Sequence, residues 1–128
     1  MATPSKNEII FPKCLNVKNY GYYLLYMGYI YLIGQSDTPN IFKIGCTRGN
    51  VMKRSKTLQT GNSEELYIAN SFETNTPFKL EKMLHLKYAP KLYLNEWYEL
   101  TKYDVDNFTA SCQLLQSSID SLSDNPFF

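Results

Sequence analysis

Two short segments in the first half of the chain constrain its fold most: Gly28-Tyr29-Ile30-Tyr31-Leu32-Ile33 and Phe42-Lys43-Ile44-Gly45-Cys46-Thr47-Arg48. Both are rich in the aromatic and β-branched residues that fit a pleated surface. Between them lies Gly34-Gln35-Ser36-Asp37-Thr38-Pro39-Asn40, which has turn chemistry throughout. The pattern predicts a strand over 29–33 and a second over 41–46 that returns antiparallel to it.

The rest of the chain supplies partners for this hairpin. Asn50 is placed to cap a helix running to about Thr60, with Val51, Ser55 and Leu58 toward a core and Gly61-Asn62 at its end. In that register Lys53 and Arg54 lie away from the apolar stripe, near the helix flank. Residues 65–73 alternate partially and read as a third strand. Thr76-Pro77 is a strong helix start, because proline at the first helical position gives up no hydrogen bond. The helix from Pro77 to about Tyr88 carries Leu80, Leu84 and Tyr88 on one face, with Met83 beside them. Glu81 and His85, four residues apart, share a second face. Pro90 enforces a stop, Trp97-Tyr98-Glu99-Leu100 reads as a short strand or extended edge, and a final amphipathic helix is expected from about Val105 to Leu122. This order predicts an α+β domain, a small antiparallel sheet of about three strands flanked by helices. Residues 1–19 read as an N-terminal arm, 20–123 as the single domain and 124–128 as a tail.

At 128 residues the chain is long enough for one core and too short for two. Its 11 tyrosines are more than an ordinary core requires; a phenol can be half-buried packing, a stacking platform or a proton acceptor. Cys14, Cys46 and Cys112 are odd in number and widely spaced, with no CxxC pair, so neither a disulfide framework nor a zinc site is indicated. A reducing compartment, the cytoplasm or nucleus of a host cell, is expected. No signal peptide is expected, and the apolar run from Tyr22 to Ile33, interrupted by Gly28, is too short to span a bilayer.

The net charge of +1 argues against indiscriminate coating of nucleic acid, but the distribution is uneven. Lys43, Arg48, Lys53, Arg54 and Lys56 fall between Asp37 and Glu64 with no acidic residue among them. From Glu96 onward the balance turns acidic. One basic side is consistent with an anionic ligand, and equally with a solvated helix face.

In order along the chain stand Gly28-Tyr29-Ile30-Tyr31, Lys43-Ile44-Gly45, Arg54 ahead of Leu58-Gln59-Thr60-Gly61-Asn62, Leu80-Glu81-Lys82 with His85 one turn on, and Glu96-Trp97-Tyr98. Over about Tyr29 to Leu100 this resembles the GIY-YIG nuclease superfamily, in particular its compact phage and viral branch with a Lys-Ile-Gly second motif. The resemblance implies metal-assisted hydrolysis of DNA, with Mg2+ or Mn2+ as cofactor and DNA as partner. It makes Glu81 the metal-binding glutamate, Arg54 the arginine that contacts the scissile phosphate and Tyr31 the candidate for deprotonating water. Tyr29 stands where the motif's glycine often is. Lys43 stands where the second tyrosine would be, which leaves a two-tyrosine mechanism without its second member and makes Lys43 a cation beside the phosphate or the base.

The chemistry suits these residue types. A hard divalent cation held by a carboxylate neutralises charge growing on phosphate oxygens. A guanidinium holds two phosphate oxygens in a geometry that lysine cannot reproduce. A phenol, with a reference pKa of about 10, needs neighbouring cations to act as a base at neutral pH. His85, the one histidine, is a partner orienting Glu81, a proton carrier or a packing residue. Arg48, Lys53 and Lys56 are candidate DNA contacts. Two other readings stay open: a catalytically reduced nucleic-acid-binding module of the same fold, and a viral or phage protein-interaction protein whose tyrosine-rich N-terminal region binds another protein.

Overall fold

The computed structural model describes residues 27–122. The expected arm at 1–19 and tail at 124–128 lie outside them. Five strands, β1 (Gly28–Gln35), β2 (Thr38–Thr47), β3 (Leu66–Thr74), β4 (Leu92–Leu94) and β5 (Trp97–Glu99), form one sheet in the order β3-β1-β2-β5-β4. Every neighbouring pair is antiparallel. The helices are α1 (Val51–Thr60), α2 (Pro77–Lys87), α3 (Lys102–Asp106) and α4 (Phe108–Leu122), with a single 3-10 turn at Ala89–Lys91.

The α+β class stands, but the sheet has five strands rather than about three. The additions are β4 and the pairing of β5 with β2. β4 is three residues long and directly follows the Pro90 turn, so it offers no alternation to read. Its hairpin with β5 turns at Asn95, whose φ of 55° lies in the left-handed region that asparagine tolerates. The first hairpin is also tighter than its composition suggests: β1 runs to Gln35 and β2 begins at Thr38. The register slips between Gly34, opposite Phe42, and Gln35, opposite Thr38, so Pro39 falls in the irregularity, outside the regular ladder.

Alternation along β1 sends successive side chains to opposite faces. Ile30 and Leu32, with Phe42 and Ile44 of β2, pack against Leu80, Leu84 and Tyr88 of α2 and Phe108, Cys112 and Ile119 of α4. Tyr31 and Ile33 point the other way and join Leu66, with Val51 and Leu58 of α1 and Trp97 packed against them. Burying side chains the size of Leu80 and Leu84, both fully enclosed, stabilises by about 1.5–3 kcal/mol each. Gly28 permits α2 to start where it does, since a Cβ there would lie 2.9 Å from the Pro77 ring.

Local signals set the helix ends. The Asn50 side chain accepts from the backbone N–H of Met52 at 2.8 Å and of Lys53 at 3.3 Å, and Gly61 closes α1. The expected single helix over 105–122 is instead two, broken at Asn107. The first starts earlier because Thr101 and Asp104 form a reciprocal capping box.

Candidate functional site

Tyr31 lies directly opposite Gly45 in the β1–β2 ladder. With no side chain at Gly45, the Tyr31 ring lies across it; a Cβ there would sit 2.3 Å from the hydroxyl oxygen. The glycine of the Lys-Ile-Gly segment is therefore the space that the tyrosine ring occupies. The ring is buried at 1% exposure. Its hydroxyl faces the guanidinium of Arg54, which reaches in from the flank of α1, and the interaction with the phenol holds Arg54 above the ordinary arginine value. Arg54 also senses the negative charge of Glu96.

A second group lies on the α2 side. Glu81 and His85, one turn apart on α2, and Glu96, in the β4–β5 turn, bring one ligand-capable atom each within 4.8 Å of one another. β5 covers β2 only from Ile41 to Lys43, so beyond Lys43 this edge of β2 has no strand partner among the described residues. Glu96 stands at that break, where its carbonyl accepts from the Ile44 N–H at 3.1 Å. Glu96 thus lies between the Tyr31–Arg54 pair on one face and the Glu81–His85 pair on the other.

Each of these three side chains has its own neighbour. The Cys46 thiol, whose residue projects toward α2, lies beside Glu81; burial, then the neighbouring Glu81 carboxylate and the charge of Glu96, push the thiol pKa up to about 12, so it carries its proton at neutral pH. His85 Nδ1 is hydrogen-bonded to the Tyr98 hydroxyl, and its other nitrogen, Nε2, is buried with no hydrogen-bond partner among the described residues. Burial, then Glu96 and Glu81, raise the Tyr98 pKa above the ordinary phenol value. Lys43 Nζ donates to Glu96 Oε2 at 2.8 Å and lies 5.7 Å from the centre of the Trp97 ring.

The donors suit a divalent cation. Two carboxylates and an imidazole with an orphaned buried nitrogen form an O, O, N set. Bonds of about 2.1 Å place opposite ligands about 4.2 Å apart, so a separation within 4.8 Å needs only a small inward movement.

Of the residues singled out from the sequence, the structure brings Tyr31 and Arg54 into contact and Glu81 and His85 into one group. Lys43 goes to Glu96. Tyr29, half-buried on the Tyr31 face and two residues away, is about 7 Å along the strand. Arg48, just past β2, lies 5.1 Å from the centre of the exposed Phe78 ring at the start of α2. Lys53 and Lys56 are exposed, on the side of α1 turned away from Val51 and Leu58, and do not join the site. Sequence reasoning gave no role to Glu96, Cys46 or Tyr98. For Glu96 the available signal was its place before Trp97-Tyr98; for the other two there was none.

Fold and site together define an α+β domain with a polar centre where the β2–β5 pairing ends. The T5orf172 domain family model matches residues 28–113, and the chain belongs to that family, a phage-associated domain related to a nuclease-associated fold. No curated protein and no solved structure matches the chain. Among the described residues no helix is long and apolar enough to cross a membrane.

Proposed function

We propose that this domain is a divalent-metal-dependent DNA endonuclease of the GIY-YIG type. The observation that carries the reading is the contact between the Tyr31 hydroxyl and the Arg54 guanidinium beside the Glu81, His85 and Glu96 donors. Membership in a nuclease-associated family supports it.

Arg54 is the phosphate-binding group. Because Tyr31 is 1% exposed and faces Arg54, the guanidinium turns toward a phosphate for the hydroxyl to meet water. Tyr31, as phenolate, then takes one proton from a water molecule. The water oxygen forms a bond to phosphorus as the bond from phosphorus to the leaving sugar oxygen breaks. The leaving oxygen is protonated by solvent, and Tyr31 returns its proton to solvent. Glu81 is the metal-holding carboxylate, and a cation bound there supplies positive charge to the phosphate and the departing oxygen. Lys43 neutralises Glu96 and so lowers the cost of placing two carboxylates next to an anionic ligand.

The test is incubation of the purified protein with plasmid, branched and single-stranded DNA in Mg2+, Mn2+ or EDTA. Metal-dependent cleavage that disappears in Glu81→Gln, with DNA binding largely retained, is the expected result. Binding without cleavage under every metal would replace this reading with the catalytically reduced binding module. The tyrosine-rich stretch invoked for a protein-interaction role falls mainly within 20–26, outside the described residues.

A further inference from the structure

The nuclease reading asks only one carboxylate, Glu81, to hold metal, yet two further donors converge on the same point and neither is left loose. Glu96 has one oxygen, Oε2, engaged by Lys43, which fixes the carboxylate while its other oxygen remains to be used. His85 has Nδ1 engaged by Tyr98 and Nε2 buried without a partner among the described residues. Burying an unpaired imidazole nitrogen is costly, so the fold keeps it there at a loss unless something binds it. The Cys46 thiol lies beside Glu81. Glu96 and His85 are each oriented by a separate hydrogen bond from a different residue, which is how protein metal centres fix ligand direction and imidazole tautomer.

We propose that His85 and Glu96 complete a three-donor centre with Glu81, and that the imidazole makes this centre select Mn2+ or Co2+ over Mg2+. The inference deepens the nuclease reading, but its evidence is metal binding alone. Mg2+ prefers an all-oxygen shell and gives up its waters reluctantly. Imidazole favours the later first-row ions, and affinity for a mixed nitrogen and oxygen site rises from Mn2+ toward Co2+. When Tyr98 accepts the Nδ1 proton, the Nε2 lone pair is free for the ion. Lys43 and Tyr98 are positioning residues.

The experiment is titration of the full chain, without DNA, with MnCl2, CoCl2 and MgCl2. Calorimetry reads the affinities, and electron spin echo spectroscopy of the Mn2+ complex reads nitrogen coordination. The expected result is Mn2+ and Co2+ binding at least about tenfold tighter than Mg2+, with nitrogen modulation from one imidazole. His85→Asn should abolish the modulation and most of the preference, leaving Mg2+ affinity nearly unchanged. Glu96→Gln should weaken all three ions. Tyr98→Phe, which keeps the ring, should cost about 10–100-fold in Mn2+ affinity. Should His85→Asn fail to fold, the modulation in the unaltered chain still decides. Absence of nitrogen coupling, equal Mn2+ affinity in the unaltered chain and Glu96→Gln, or no Mn2+ binding at millimolar concentration each overturns the proposal. A thiolate-to-cobalt charge-transfer band also overturns it, because Cys46 would then be a ligand. Cleavage of DNA with Mg2+ but no nitrogen coupling would sink this inference and spare the nuclease. A three-donor Mn2+ centre with no cleavage would do the reverse.

Discussion

The Tyr31 hydroxyl is placed by a side chain that is absent. Gly45 lets the ring cross β2, and the ring delivers the hydroxyl to Arg54. Gly45→Ala forces a methyl group against that oxygen, so the ring must move or β1 and β2 must part. Overpacking of this kind costs about 1–3 kcal/mol, and the expected outcome is a lower denaturation midpoint together with lost cleavage. Tyr31→Phe separates the two effects. It removes only the oxygen, so the melting curve should change little while cleavage falls by about two to four orders of magnitude. Tyr29→Phe, altered about 7 Å away on the same face, should be milder; a dead Tyr29→Phe beside an active Tyr31→Phe would move the base to Tyr29. The types and order of Tyr31, Arg54, Glu81 and His85 were legible in the sequence because each pairs with a neighbour on its own element or follows a motif. Glu96, Cys46 and Tyr98 enter the centre only through contacts between β2, α2 and the β4–β5 hairpin, which no local pattern encodes.

At the scale of elements, what could be read in advance were boundaries fixed by a nearby side chain or ring. Asn50 and Pro77 begin α1 and α2 where capping chemistry and ring geometry place them. The division of the last helix was missed because periodicity from Phe108 to Ile119 continues an apolar stripe and hides the Thr101–Asp104 box upstream. That box makes a measurable contribution. Burial alone raises the Asp104 pKa, but Lys91 Nζ at 2.5 Å, with the Thr101 N–H and hydroxyl, outweighs burial and holds the carboxyl below the ordinary aspartate value. A carboxylate whose folded pKa is depressed stabilises the fold fully above its unfolded pKa and loses that stabilisation as pH falls through the folded one. Asp104→Asn should therefore be less stable at pH 7. The difference in urea midpoint from the unaltered chain should begin to close below about pH 4. A difference that stays constant down to pH 2 would mean that the charge of Asp104 contributes nothing.

Across the whole molecule the positive charges of the 43–56 stretch divide by what they touch. Lys43 is spent on Glu96, Arg54 on Tyr31, and Arg48 sits over Phe78 beside the start of α2. Lys53 and Lys56 have no ion-pair partner among the described residues and point outward from α1, the helix that also carries Arg54. A duplex whose phosphate reaches Arg54 runs past this helix, and two outward ammonium groups next to its path would meet further phosphates. Each phosphate contact releases condensed counterions and contributes about 0.9 to the slope of log affinity against log salt on double-stranded DNA. Replacing Lys53 and Lys56 with glutamine together should flatten that slope by about 2 and weaken binding to all sequences alike, because phosphate contacts carry no sequence information. The fold should be untouched, since neither side chain packs against the core. Fluorescence anisotropy over a series of salt concentrations measures the slope directly. An unchanged slope with unchanged affinity would mean that DNA approaches Arg54 from the β5 side, with the outer face of α1 left in solvent.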